Sequence, residues 1–216
     1  MWVLDSRVIL VLSAKLEAGP CRRTPASLAL GIISPEQREL QSNMNKIEAT
    51  WDKSDYEIYD DFLNIKIDGT FIDELVDKSY PGYDYKGTVP TLIFWMQLEN
   101  ERKIVWNRIL PRNNETTVCP ILMCPDDCDF SCTIIVARIT RTNSQIIWEQ
   151  LGSNLTQTTF QTPQLIGTEV EWFDEIEPMT FELSDYEQMI ADFYRQLKID
   201  EQKWQELNKT NVQQNV

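Results

Sequence analysis

Four of the chain's five cysteines, Cys119, Cys124, Cys128 and Cys132, fall inside fourteen residues, separated by four, three and three positions. Thiolates at that density can hold a soft or borderline cation such as zinc. Structural zinc sites, however, use paired C-x2-C knuckles around an intervening loop, and this spacing supplies neither. If one extended strand held both Cys119 and Cys124, their side chains would also face opposite sides. Reduced, mostly buried thiols packing as small hydrophobes are the simpler expectation. Pro125-Asp126-Asp127 with Asp129 adds carboxylates that could take a hard cation or act as an acid/base pair. The segment lacks the glycine and the regular oxygen-ligand alternation of an EF-hand loop, and an Asp after Pro commonly caps its own turn. A metal-binding or carboxylate-based enzyme module centred on Cys124, Asp126, Asp127, Cys128 and Asp129 therefore stands as the alternative. The primary expectation is no metal, no cofactor and no catalytic residue.

The second constellation is purely acidic. Between Thr142 and Tyr194 there is no Lys or Arg, yet ten carboxylates occur. The densest part is Glu169-Val170-Glu171-Trp172-Phe173-Asp174-Glu175-Ile176-Glu177, where acids alternate with large apolar residues. One reading is an edge strand and bend with Val170 and Trp172 in the core and the acids in water. The functional reading leaves Trp172 or Phe173 partly exposed as an anchor inside an anionic rim, which suits a Lys/Arg-rich protein surface. On that reading Glu169, Glu171, Trp172, Phe173, Asp174, Glu175 and Glu177 bind the partner. A second acidic run, Glu48 to Asp61, would strengthen the field if it lay alongside.

Composition narrows the chemistry. The chain has no histidine, which removes Ser-His-Asp and Cys-His nucleophilic arrangements, His-containing zinc sites and a His pH switch. There is no Gly-rich phosphate loop, no G-x-S-x-G elbow and no H-E-x-x-H. The net charge is −14, with 34 acidic against 20 basic residues. Phosphate binding requires Lys/Arg clusters, so nucleic acid is a poor candidate ligand. A charge of this sign also simply favours solubility, and an acidic structural domain without a specific charged partner is a further alternative.

The elements that would position these residues follow from patterning. Phe62–Ile67 alternates as a strand and Asp68-Gly69 ends it. Thr70 with Asp73 resembles a capping box that opens a short helix over Phe71–Lys78. Strands are expected over Val89–Leu98, Lys103–Leu110 and Val118–Met123, with Glu99–Arg102 as a polar hairpin turn. A second hairpin joins Cys132–Thr140 to Gln145–Leu151. After a polar loop over Asn154–Pro163, Glu169–Trp172 alternates again. Ser184 and Glu187 then start a helix whose Tyr186, Met189, Ile190, Phe193, Tyr194 and Leu197 form one apolar stripe, ending near Leu207. The predicted fold is α+β, a mostly antiparallel sheet of about five strands with a long C-terminal amphipathic helix packed on it.

Residues 1–43 differ in character: they carry five basic and four acidic residues, leaving −15 on the remainder. They read as a tail or extension, with Met44 as a second plausible start, ahead of one domain over 44–208 and a frayed tail over 209–216. A contrary signal is Ser34-Pro35-Glu36, a helix start followed by Leu40, Met44, Ile47 and Trp51 on one helical stripe. The apolar run Val8–Ala14 is far shorter than the ~20 residues that span a bilayer, and its flanks make a poor secretory signal. A cytoplasmic protein with no membrane segment is expected.

In overall style NIKIDGTFIDEL, VPTLIFW, IVWNRILP, CPILMCPDDCDFSC and VEWF, spread over Phe62 to Tyr194, resemble small bacterial immunity-type proteins of polymorphic toxin systems. That resemblance implies a small, acidic, cytosolic, non-enzymatic protein that neutralises a cognate toxin by masking its active site. It transfers no functional residue to this chain. The expected function is thus an acidic protein-binding domain whose partner is a basic protein, such as a toxin or effector, blocked by occlusion.

Overall fold

The computed structural model describes residues 44–54, 61–159 and 161–214. The expectations for 1–43, for most of the second half of the Glu48–Asp61 run, and for Phe160 lie outside the described residues.

Strand β1 (Ile47–Asp52) runs antiparallel to β2 (Phe62–Ile67). The helical stripe proposed through Ile47 and Trp51 is therefore overturned: strand parity places Ile47, Ala49 and Trp51 on one face, with Ile47 buried and Trp51 exposed. Asp68 and Gly69 both take positive φ, 49° and 86°, the pattern of a two-residue hairpin turn that matches strand twist. It leads into β3 (Thr70–Phe71), which pairs back with Ile67 and Lys66. Thr70 is thus a ladder residue and caps nothing. Helix α1 (Ile72–Ser79) starts without a side-chain cap. Asp73 instead turns inward, accepting hydrogen bonds from Asn64 Nδ2 at 3.1 Å and from the Gly87 amide at 3.0 Å.

The larger sheet has six strands among the described residues. Its order is β4 (Val89–Pro90), β5 (Thr116–Met123), β6 (Ile134–Arg141), β7 (Gln145–Asn154) and β8 (Val170–Trp172), with β9 (Met179–Glu182) also on β7. All pairings are antiparallel. Strand β7 is ten residues long and serves both short partners: β9 pairs with its first half, β8 with its last three residues. Two expected strands are absent. Only Val89–Pro90 of the Val89–Leu98 run is extended; the rest forms tight turns that still bury Leu92, Ile93 and Met96. Thr91 holds them in place by donating its hydroxyl to the Pro120 carbonyl at 2.8 Å. The Lys103–Leu110 segment and its supposed turn are one helix, α2 (Glu99–Arg108), with Glu101, Arg102, Val105 and Trp106 inward.

Helix α3 (Leu183–Gln214) packs on β1, β2, β7 and β9 and runs past the expected end near Leu207. Its stripe is buried at Tyr186, Met189, Ile190, Phe193 and Leu197, with Tyr194 partly covered. The α+β architecture with a long helix on an antiparallel sheet is as the sequence indicates. Between the sheets, the Asn45 amide donates to the Thr180 carbonyl at 2.7 Å and the Asn45 side chain accepts the Thr180 amide at 2.9 Å, so Met44 and Asn45 already belong to the fold. Among the described residues, no helix is long and apolar enough to cross a membrane.

Two features inside the fold decide its response to substitution. Gly152 sits opposite Trp172, where an added Cβ would lie 2.6 Å from the Glu171 carbonyl oxygen and from Val170 Cγ1. Gly152→Ala is expected to push β8 off β7, at a cost of about 1 to 3 kcal/mol in a denaturant titration. Glu101 is buried in α2 and accepts the Phe130 amide at 3.0 Å. Burial, with Asp129 adding to it, pushes its pKa up to about 7 against an ordinary 4.5. A carboxyl raised in the folded state binds more protons folded than unfolded between those values, so its contribution declines as pH rises from about 4.5 to about 7. Glu101→Gln keeps an acceptor for Phe130 and removes the titration. The variant should therefore gain in melting temperature over the parent at pH 8, and the gain should vanish at pH 4.5.

Candidate functional site

The acidic segment forms the outer edge of the large sheet. Glu169 and Glu171 are exposed on and just before β8, and Asp174, Glu175 and Glu177 are exposed in the turn that follows. The alternate apolar residues go inward, with Phe173 and Ile176 buried. Local hydrogen bonds fix this alternation: the Phe173 amide donates to the Leu151 carbonyl at 2.8 Å, and the Leu155 amide donates to the Glu169 carbonyl at 2.8 Å. Among the described residues, no salt bridge within 4.0 Å involves any of the five acids. Charges left without a fixed internal partner remain available to an external one.

Phe173 cannot be the exposed anchor, because it is a core residue. Trp172 is half-buried, and the Arg138 guanidinium stacks on its ring at 4.3 Å while hydrogen-bonding Gln150 at 2.6 Å. Its face is therefore covered by the protein's own cation. The aromatic group that the structure does present is a different one. Tyr80, Tyr83 and Tyr85, from the loop after α1, gather on this edge. Tyr80 and Tyr85 pack against Phe173 at ring separations of 4.5 and 5.5 Å. The Tyr80 hydroxyl accepts the Glu175 amide at 3.0 Å, tying the acidic turn to the loop. Tyr83 stacks on Tyr85 at 5.7 Å and remains 63% exposed. Burial pushes the Tyr85 hydroxyl's pKa up, partly offset by a hydrogen bond with Ser153, and the nearby Glu171 charge raises it further.

The second acidic run offers less. Glu48 pairs with Lys46 at 2.7 Å and Asp52 accepts from Asn64 at 2.9 Å, so two of the run's three described acids have partners within the fold, while Asp61 is exposed.

The cysteines separate into two kinds. Cys119 and Cys128 are buried. Burial raises the pKa of both thiols, that of Cys128 to about 11, and the Cys128 thiol is directed at the Pro125 carbonyl at 3.0 Å. Neither is a reactive thiolate. Asp129 accepts the Ser131 amide at 2.8 Å, a local turn contact. Cys124, partly exposed, and Cys132, exposed, converge with Asp127, while Asp126 lies exposed outside that group. The five residues of the alternative module are thus not brought together as a set.

A concavity of about 580 Å³ lies between α3 and the turns after β4, lined by Phe94, Trp95, Met96, Arg102, Glu201 and Trp204 among others. Its charged lining is engaged internally, since Glu201 meets Lys198 at 2.8 Å and its charge supports that of the part-desolvated Arg102.

Compared with protein-family models, curated proteins and solved structures, the chain matches none.

Proposed function

We propose that this chain is an acidic protein-binding domain that occludes a basic surface of its partner, acting as an immunity-type neutraliser of a cationic toxin or effector in the cytoplasm. One observation carries the reading: five exposed carboxylates along β8 and its following turn, without salt bridges among the described residues, border a tyrosine cluster that presents Tyr83. An aromatic face beside anionic groups suits Arg and Lys side chains, whose cations are drawn both to the carboxylates and to the ring. The acids provide steering and register, and the tyrosine provides contact area. The same sign of charge disfavours nucleic-acid phosphates as the ligand. An exposed free thiol at Cys132 suits a reducing compartment.

The test compares affinity capture from an extract of the source organism by the parent chain and by a variant with Glu169, Glu171, Asp174, Glu175 and Glu177 replaced by their amides. A basic protein retained by the parent and lost by the variant supports the reading. Identical retention by both chains contradicts it.

A further inference from the structure

The loop joining β5 to β6 gathers three metal-ligating groups that lie outside the acidic edge: the sulfurs of Cys124 and Cys132 and a carboxylate oxygen of Asp127, all within 4.8 Å of one another. We propose that this cluster binds a divalent cation of the zinc type, held by two thiolates and one carboxylate, with the fourth tetrahedral position open to water.

The juxtaposition comes from the ladder and not from sequence spacing. Cys124 follows the last residue of β5 and Cys132 comes two residues before β6. The Cys124 amide donates to the Thr133 carbonyl at 2.9 Å, bringing the two ends of the loop side by side. A cluster formed across a strand pair needs no C-x2-C knuckle. The loop between is already ordered. The Cys128 amide donates to the Cys124 carbonyl at 3.1 Å, Cys128 takes φ of 51°, and the Phe130 amide is held by Glu101. Its other candidate ligands are committed elsewhere: Cys128 to Pro125 in the core and Asp129 to Ser131.

The chemistry of the set selects the ion. Two sulfurs and one oxygen suit zinc better than calcium or magnesium, which take oxygen ligands in larger number. Bonds of about 2.3 Å to sulfur and about 2.0 Å to oxygen put tetrahedral ligands about 3.5 to 3.8 Å apart, so from separations within 4.8 Å a closure of at most about 1.3 Å completes the site. Three groups whose charged forms repel one another are the arrangement that a cation relieves.

The full-length reduced protein, freed of metal and titrated with Co²⁺, should develop a sulfur-to-metal charge-transfer band that saturates at one equivalent and is displaced by Zn²⁺. Cys124→Ser and Cys132→Ser should each weaken binding on the order of a hundredfold, and Asp127→Asn about tenfold. Asp126→Asn, exposed and outside the cluster, should bind like the parent. The replaced side chains are all at least partly exposed, and circular dichroism checks that each variant is folded. No saturable band, a band unaffected by Cys132→Ser, or isolation of the protein with a Cys124–Cys132 disulfide would each overturn the proposal. Because none of the five edge acids is altered, failure here leaves the partner-binding reading untouched.

Discussion

Replacing Tyr186 with phenylalanine lowers the stability of the fold by about 2 to 4 kcal/mol, measured by denaturant titration. Tyr186 is fully buried in the first turns of α3. Its hydroxyl donates to the Ile109 carbonyl at 3.0 Å and accepts the Trp148 indole N–H at 3.2 Å. One oxygen therefore connects the end of α2, the middle of β7 and the start of α3. Phenylalanine preserves the ring contacts with Trp148 and Phe181, so almost all of the loss comes from a donor and an acceptor left buried without this partner. A change under about 0.5 kcal/mol would mean that water reaches both groups and that this junction is open.

If the edge binds a basic partner as proposed, reversing three of its charges, Glu171→Lys with Asp174→Lys and Glu175→Lys, should reduce that affinity about a hundredfold near physiological salt. The three side chains are exposed, so the cost falls on binding and not on folding. Each reversal replaces an attraction at the rim with a repulsion, worth about 1 kcal/mol under screening, and 1.4 kcal/mol is a factor of ten. Part of the loss should appear in the association rate, because the long-range field does the steering. Tyr83→Ala, by contrast, should leave the salt dependence alone and speed dissociation.

The long periodic elements were legible from sequence because burial alone decides them. Phe62–Ile67, the hairpin through Arg141 to Ser144, and the α3 stripe all follow apolar period. Helix α2 was not legible because its inward face contains charges. Glu101, Val105 and Ile109 recur every four residues, as do Arg102 and Trp106, but Glu101 and Arg102 look like surface residues until a partner is known. With those removed, the β-branched Ile104 and Val105 suggest a strand. The capping box at Thr70 and Asp73 fails for a related reason: Asn64 and the Gly87 amide draw Asp73 inward, and neither is within local reach in the sequence.

The candidate site was half legible. The acids and their alternation are plain in the chain, but which aromatic they surround is a tertiary fact. Phe173 is withdrawn by its bond to Leu151, Trp172 is covered by Arg138, and Tyr83 comes from ninety residues earlier. Three tyrosines within six residues, beside Pro81-Gly82, were the available signal. For the cysteines, only strand register reveals that Cys132 and not Cys128 joins Cys124.

The proposed neutralisation of the β8 edge by an external cationic surface is tested by the salt dependence of binding. With the captured partner titrated against the parent chain and the triple-Lys variant, the parent's affinity should fall steeply as salt shortens the Debye length below its physiological value of about 8 Å, and the variant should have little affinity left to lose. Equal affinities for the two chains, unchanged by salt, would contradict it.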